Sequence, residues 1–204
     1  MIIFILILFP CRYLADNFEL SVQEVTIICD ISNYCAKETL ALLRKLKHNR
    51  QLRKLFLKPS NSTFECEDST KCTKELVSSL INIIKRSDHL EALSLGCIED
   101  LTGNARLILV HLRNCQAKHL TTLSLASVKD DPDDYNALNS GYGHMFNSFA
   151  RLSILTLDYE FLSDSLLKAL NSGTMERLVI HVHGWHYQYT GPTDSSWQIF
   201  VQKK

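Results

Sequence analysis

The residues best placed to do chemistry stand near the C-terminus, where His181, His183 and His186 form a histidine cluster. Alternation along a strand puts His181 and His183 on one face, a geometry that can chelate a transition metal. A structural metal site wants four ligands, and no nearby Cys, Asp or Glu completes the set. Strand histidines beside Trp185 and Tyr187 read instead as a stacking surface. The acidic run Asp130-Asp131-Pro132-Asp133-Asp134 lacks the Asp-x-Asp-x-Asp-Gly spacing and distal Glu of a calcium loop, so it reads as a solvated loop. Asn139-Ser140-Gly141-Tyr142-Gly143 follows no strand directly and carries no Lys-Ser/Thr, which makes it a poor phosphate cradle. No Gly-x-Ser-x-Gly elbow and no paired Cys/His nucleophile is present. The chemistry on offer is therefore that of a surface, and the sequence implies no enzyme, no metal and no cofactor.

Composition agrees. The chain has 204 residues, 22 basic and 22 acidic, with 46% apolar residues, enough to bury a real core. A net charge of zero removes the basic excess of a nucleic-acid binder, so no nucleic-acid partner is expected. Seven cysteines, Cys11, Cys29, Cys35, Cys66, Cys72, Cys97 and Cys115, show neither zinc spacing nor the even count of a secreted disulfide framework. Cys29 and Cys97 fall in an inward strand register and read as buried thiols. A reducing intracellular compartment, cytoplasm or nucleus, follows. The apolar start Ile2–Phe9 is too short to span a bilayer, so no membrane partner is expected. It lacks the preceding positive charge and small-residue cleavage site of a signal peptide. Residues 1–17 read as a separate apolar segment: a capping strand, a replaced exon or, less readily, a signal.

A phrase of the form apolar-x-x-apolar-x-apolar recurs six times over residues 18–204. It begins at Val22, Leu52, Leu90, Leu120, Leu152 and Met175, at intervals between 23 and 38 residues. Its last three positions alternate inward, outward, inward, as in a short strand whose apolar face needs neighbours to bury it. Helical spacing separates the phrases. Residues 36–49 carry Leu40, Leu42, Leu43 and Leu46, and residues 69–87 carry Leu76, Leu80, Ile83 and Ile84. Residues 104–115 carry Leu107, Leu109, Val110 and Leu112. Residues 162–171 carry Leu166, Leu167 and Leu170, capped by Ser163 or Asp164 and stopped by Gly173. The expected fold is an α/β leucine-rich-repeat solenoid of about six irregular repeats, a horseshoe with parallel strands on the concave face and helices on the convex one. A doubly wound domain would show continuous Val/Ile strands, whereas the middle positions here are Thr26, Ser94, Ser124 and Thr156.

The C-terminal half adds a likeness. Phe149-Ala150-Arg151-Leu152, Leu155-Thr156-Leu157-Asp158-Tyr159, Leu162-Ser163-Asp164-Ser165-Leu166-Leu167 and Arg177 to His183 lie within His119–His186. This stretch resembles the leucine-rich-repeat region of the F-box-only proteins, in particular the group of F-box only proteins 33 and 39. The resemblance implies a substrate receptor of a cullin-type ubiquitin ligase: an F-box holds the Skp adaptor and the repeats hold a protein substrate. An F-box would show a Leu-Pro start and a Val-Cys-x-x-Trp-like end. Neither occurs, and the tryptophans are Trp185 and Trp197, so adaptor and cullin are expected as partners only with an F-box upstream. The chain reads as a fragment or short isoform of such a protein. The other reading open is a secreted or membrane-tethered leucine-rich-repeat ligand binder.

The expected partner-binding residues are Lys54, Phe56, Lys58, Ser94, Thr122, Ser124, Thr156, Asp158, Arg177 and His181, on outward or flanking positions of the strands. Small Ala92, Ser94, Gly96, Thr122, Ser124 and Ala126 at the centre would let a partner approach the backbone closely, with charged and aromatic neighbours as a varied rim. At the far end, Trp197 and Phe200 suit burial under a further repeat that the sequence does not supply. Alternatively, Thr193–Gln202 folds back as a capping helix with those two rings inward.

Overall fold

The computed structural model describes residues 2–6, 22–29, 33–59, 69–95, 104–125, 143–170, 173–182 and 191–202. Seven strands form one sheet: β1 (Ile2–Leu6), β2 (Glu24–Cys29), β3 (Lys54–Pro59), β4 (Ala92–Ser94), β5 (Thr122–Ser124), β6 (Ile154–Asp158) and β7 (Arg177–His181). Every neighbouring pair is parallel, and the order across the sheet is the order along the chain. The α-helices among the described residues are α1 (Asn33–Leu46), α2 (Ser69–Arg86), α3 (Ala105–Gln116), α4 (Asp164–Ala169) and α5 (Asp194–Gln202). Two 3₁₀ turns, Gly143–Ser148 and Tyr159–Phe161, flank β6. The protein is thus α/β with an all-parallel sheet. Strand order never reverses, so the switch point of a doubly wound sheet is absent.

Handedness then places the helices. Right-handed crossovers between successive strands, added always on the same side, put every intervening helix over the same sheet face. The packing agrees: α1 lies on α2, α2 on α3, α3 on the Gly143–Ser148 turn, and that turn on α4. Under this layer runs a ladder of side chains in exact register, Val25, Leu55, Leu93, Leu123, Leu155 and Leu178. The four central leucines are fully buried. At roughly 1.5–3 kcal/mol per buried aliphatic side chain, the ladder is a principal source of stability.

Helix faces follow the sequence closely, with one correction. Leu40, Leu42, Leu43, Leu46, Leu76, Leu80, Ile83, Ile84, Leu166, Leu167 and Leu170 are buried as their spacing predicts. In α3, however, Leu107 points out and Ile108 points in. The stripe Ala105, Ile108, Leu109, Leu112, Gln116 has true helical spacing; the run Leu107-Ile108-Leu109-Val110 is apolar throughout and hides the phase. In α4, Ser163 is the cap, its hydroxyl accepting from the Leu166 N–H at 3.3 Å.

The apolar start contributes a seventh strand beyond the six phrases, β1 pairing in register with β2. At the other end, α5 packs on α4 with Phe200 buried and Trp197 partly buried against the core. The fold-back helix, and not an unfinished apolar end, is what the structure shows for these two rings. Trp185, Tyr187 and Tyr189 lie outside the described residues. No helix among the described residues is long and apolar enough to cross a membrane.

The docking of α5 rests on Asp164. Its Oδ1 accepts from the Thr193 N–H at 2.8 Å and the Thr193 hydroxyl at 3.1 Å. The Ser196 hydroxyl bond, then the Thr193 N–H, hold the Asp164 carboxyl below its ordinary range. A depressed carboxyl stabilises the docked state above its unfolded value, near pH 4, and that contribution fades as pH falls through the folded value. Hydrogen exchange of residues 194–202 should therefore speed up in Asp164→Ala at neutral pH. The wild type should show the same change only on acidification below about pH 4. Equal protection of α5 in both proteins at every pH would contradict this anchor.

Gly143 carries the closest approach in the layer. A Cβ there would lie 2.5 Å from the Ser165 carbonyl carbon and from the Leu166 nitrogen, both backbone atoms at the start of α4. Neither can yield without moving the helix, so Gly143→Ala should cost about 1–3 kcal/mol. Denaturant midpoints measure it; a neutral result would mean the turn and α4 are not in contact. The glycine-containing segment thus serves packing at its last residue; its other residues lie outside the described set.

Candidate interaction face

The face of the sheet opposite the helices carries the candidate site. Its register rows are Glu24, Lys54, Ala92, Thr122, Ile154, Arg177 and Thr26, Phe56, Ser94, Ser124, Thr156, Val179. Pairing carries the register beyond the short central strands: the Leu95 N–H donates to the Ser124 carbonyl and the Leu125 N–H to the Thr156 carbonyl, both at 2.9 Å. Lys54, Phe56, Ser94, Thr122, Ser124 and Thr156 are half-exposed, while Lys58, Arg177 and His181 are exposed. Lys54 meets Glu24 on the next strand, Nζ to Oε2, at 3.1 Å. This partly exposed pair is worth at most about 1 kcal/mol.

Nine of the expected contact residues are brought to one surface; the tenth is not. Asp158 has no exposed surface. It shares the parity of Ile154 and Thr156, but the chain leaves the strand there and turns through Tyr159–Phe161. Thr26 and Ala92 are buried as well, at 6% and 4% exposure. Thr26 stands in register beside the ring of Phe56, and the Ala92 methyl lies between the longer Lys54 and Thr122. The centre of the face is consequently a smooth hydroxyl strip, Ser94, Ser124 and Thr156, bordered by Phe56 and Val179. Gly96 and Ala126 lie outside the described residues, as do His183, His186, Cys97 and the acidic run 130–134. The side chains of Ile28 and Cys29 are likewise undescribed.

Behind the face, each strand enters the sheet in one way. The carbonyls of Gln23, Arg53, Glu91, Thr121 and Ser153 each accept two successive N–H groups from the following strand, at 2.7–3.1 Å. Two buried amides tie the helix-to-strand returns together. Asn49 donates to the Val22 carbonyl and accepts from the Gln51 N–H. Gln116 donates to the Ile84 and Ser87 carbonyls at 2.8 and 2.7 Å and accepts from the Leu90 N–H at 3.0 Å. Sequence reasoning missed both, since neither breaks the apolar pattern it reads. Their signal was position: each stands close before the Leu that opens a phrase, at Leu52 and Leu120.

Such a face can bind; it holds no catalytic constellation among the described residues. No known protein family matches the chain, and no curated protein matches it either. The chain is an α/β protein with an all-parallel sheet, and among the described residues one face of that sheet carries no helix.

Proposed function

We propose that this chain is a leucine-rich-repeat solenoid whose open sheet face docks a protein, as in the substrate-holding part of an F-box subunit of a ubiquitin ligase. One observation carries the reading: successive parallel strands in chain order present half-exposed small hydroxyl residues in register on a face without helices. Strands sit about 4.8 Å apart and packed helices about 8–10 Å apart, so a sheet with helices on one side bends toward its open face. A concave surface lined by Ser94, Ser124 and Thr156 admits a partner close to the backbone, and Lys58, Arg177 and His181 supply a polar border. The likeness of His119–His186 to F-box-only proteins supports the choice of ubiquitin-ligase substrates. The Skp adaptor and cullin would join through an F-box upstream of these strands.

The test fuses an F-box to the chain in cells and compares it with Ser124→Arg and with Leu107→Arg on the helix side. Proteins whose ubiquitination rises with the fusion should return to baseline with Ser124→Arg and stay raised with Leu107→Arg. Equal loss in both variants, or in neither, would contradict the assignment of the face.

A further inference from the structure

Among the described residues, cations gather along one edge of the sheet. The turns that return each helix to the next strand stack along one edge of the sheet. The Asp88 N–H donates to the Arg50 carbonyl at 3.0 Å, Gln116 reaches Ser87 at 2.7 Å, and the His89 and His119 rings meet edge to face at 4.5 Å. Along this edge stand Lys47, Arg50, Lys85, Arg86, Arg113 and Lys118. None of the six has an ion-pair partner among the described residues, whereas Arg44 is paired with Glu75 and Arg53 with Glu91. The acids of the described returns are Asp88, Glu91 and, before β7, Glu176. Many compensating carboxylates stand elsewhere in the sequence, at Glu65, Glu67 and Asp68 before α2 and in Asp130–Asp134 after β5.

Helix macrodipoles account for cations in the last turns of α2 and α3, namely Lys85, Arg86 and Arg113. Lys47, whose N–H still bonds the Leu43 carbonyl at 3.0 Å, belongs with them, whereas Arg50 and Lys118 stand further beyond the helix ends. Arg86 also reaches His48 Nδ1 across adjacent returns at 3.3 Å, a contact that involves no carboxylate. The field of Lys85 reaches inward too: burial first, and then that charge, hold His111 below its ordinary value.

We infer that this basic rim is a docking strip for an acidic polypeptide segment. This rests on the reading of the open face as a protein-docking surface, which the rim adjoins through Arg53 and Lys54, and it specifies the partner as acidic. Three features favour a peptide over a nucleic acid. The described rim carries no Trp, Tyr or Phe, and its His89 and His119 rings are packed edge to face on each other, which leaves a base few stacking platforms. Successive returns follow the helix spacing of about 8–10 Å, which an extended peptide spans in about three residues at 3.3 Å each. The adjoining face suits protein backbone.

Fluorescence anisotropy on the full chain tests this with three probes: a labelled poly-glutamate peptide, a labelled uridine oligonucleotide, and vesicles containing phosphatidylserine. The peptide should bind most tightly and weaken as salt rises. Arg86→Glu with Lys118→Glu should weaken it at least about tenfold, and the milder Lys47→Ser with Lys118→Ser about threefold. Circular dichroism checks that both variants fold. Leu107→Ser, an uncharged change at an exposed helix position away from both rim and face, should leave peptide affinity unchanged. Peptide affinity that survives charge reversal, or tighter binding of the oligonucleotide or vesicles, overturns the acidic-peptide assignment. That failure leaves the open-face reading standing, because the ubiquitination comparison with Ser124→Arg tests the latter separately.

Discussion

Leu123→Asp should abolish cooperative folding of the central strands, while Ser124→Asp, one residue on, should cost under about 1 kcal/mol. Leu123 is fully buried and in register with Leu93 and Leu155, so a carboxylate there meets aliphatic neighbours on both adjoining strands. An unpaired buried charge costs several kcal/mol, comparable with the roughly 5–15 kcal/mol that holds a domain together. Ser124 faces the open side and is half-exposed, so its substitute keeps access to water. Urea unfolding followed by circular dichroism separates the two. Equal damage from both would mean that inward and outward positions have been exchanged.

Gln116→Leu is the second large effect expected, at about 2–5 kcal/mol, because it leaves three buried backbone groups without their partner. The substitution conserves volume and raises hydrophobicity, so an account based on apolar burial alone predicts a neutral or stabilising change. The amide instead joins α3 to the preceding return through Ile84, Ser87 and Leu90. For a chain of this size the loss corresponds to a fall in melting temperature of roughly 5–15 °C. A change below about 1 kcal/mol would show that water or a shifted backbone replaces those bonds.

Much of this fold was legible because its strands obey one rule. The three apolar positions of the first five phrases, from Val22-Val25-Ile27 to Leu152-Leu155-Leu157, are buried throughout, while in the sixth Met175 is buried and Leu178 and Ile180 are half-buried. The predicted ladder Leu55, Leu93, Leu123, Leu155 pairs in parallel and in chain order. Legibility failed where periodicity carries no information. The wholly apolar Ile2–Leu6 gives no alternation, so its pairing with β2 could not be chosen over other readings. Leu107 and Ile108 sit in an unbroken apolar run, where the phase of a helix is undetermined. Asp158 obeys the strand parity that predicted it outward, yet it is fully buried where β6 ends, a strand end that parity does not contain. Of the candidate face, the register was readable and the depth of each residue was not. Thr26 and Ala92 are buried by the size of their neighbours, which a pattern of inward and outward positions does not contain.

The open face as a protein-docking surface is tested most directly by site-specific photo-crosslinking in cells, with the reactive group placed singly at Ser124, Thr156, Leu107 or Lys168. The account predicts that Ser124 and Thr156 crosslink to the same protein, and that Leu107 and Lys168, on helices across the sheet, do not. Crosslinking to that protein from Leu107 or Lys168, with none from Ser124 and Thr156, would contradict it.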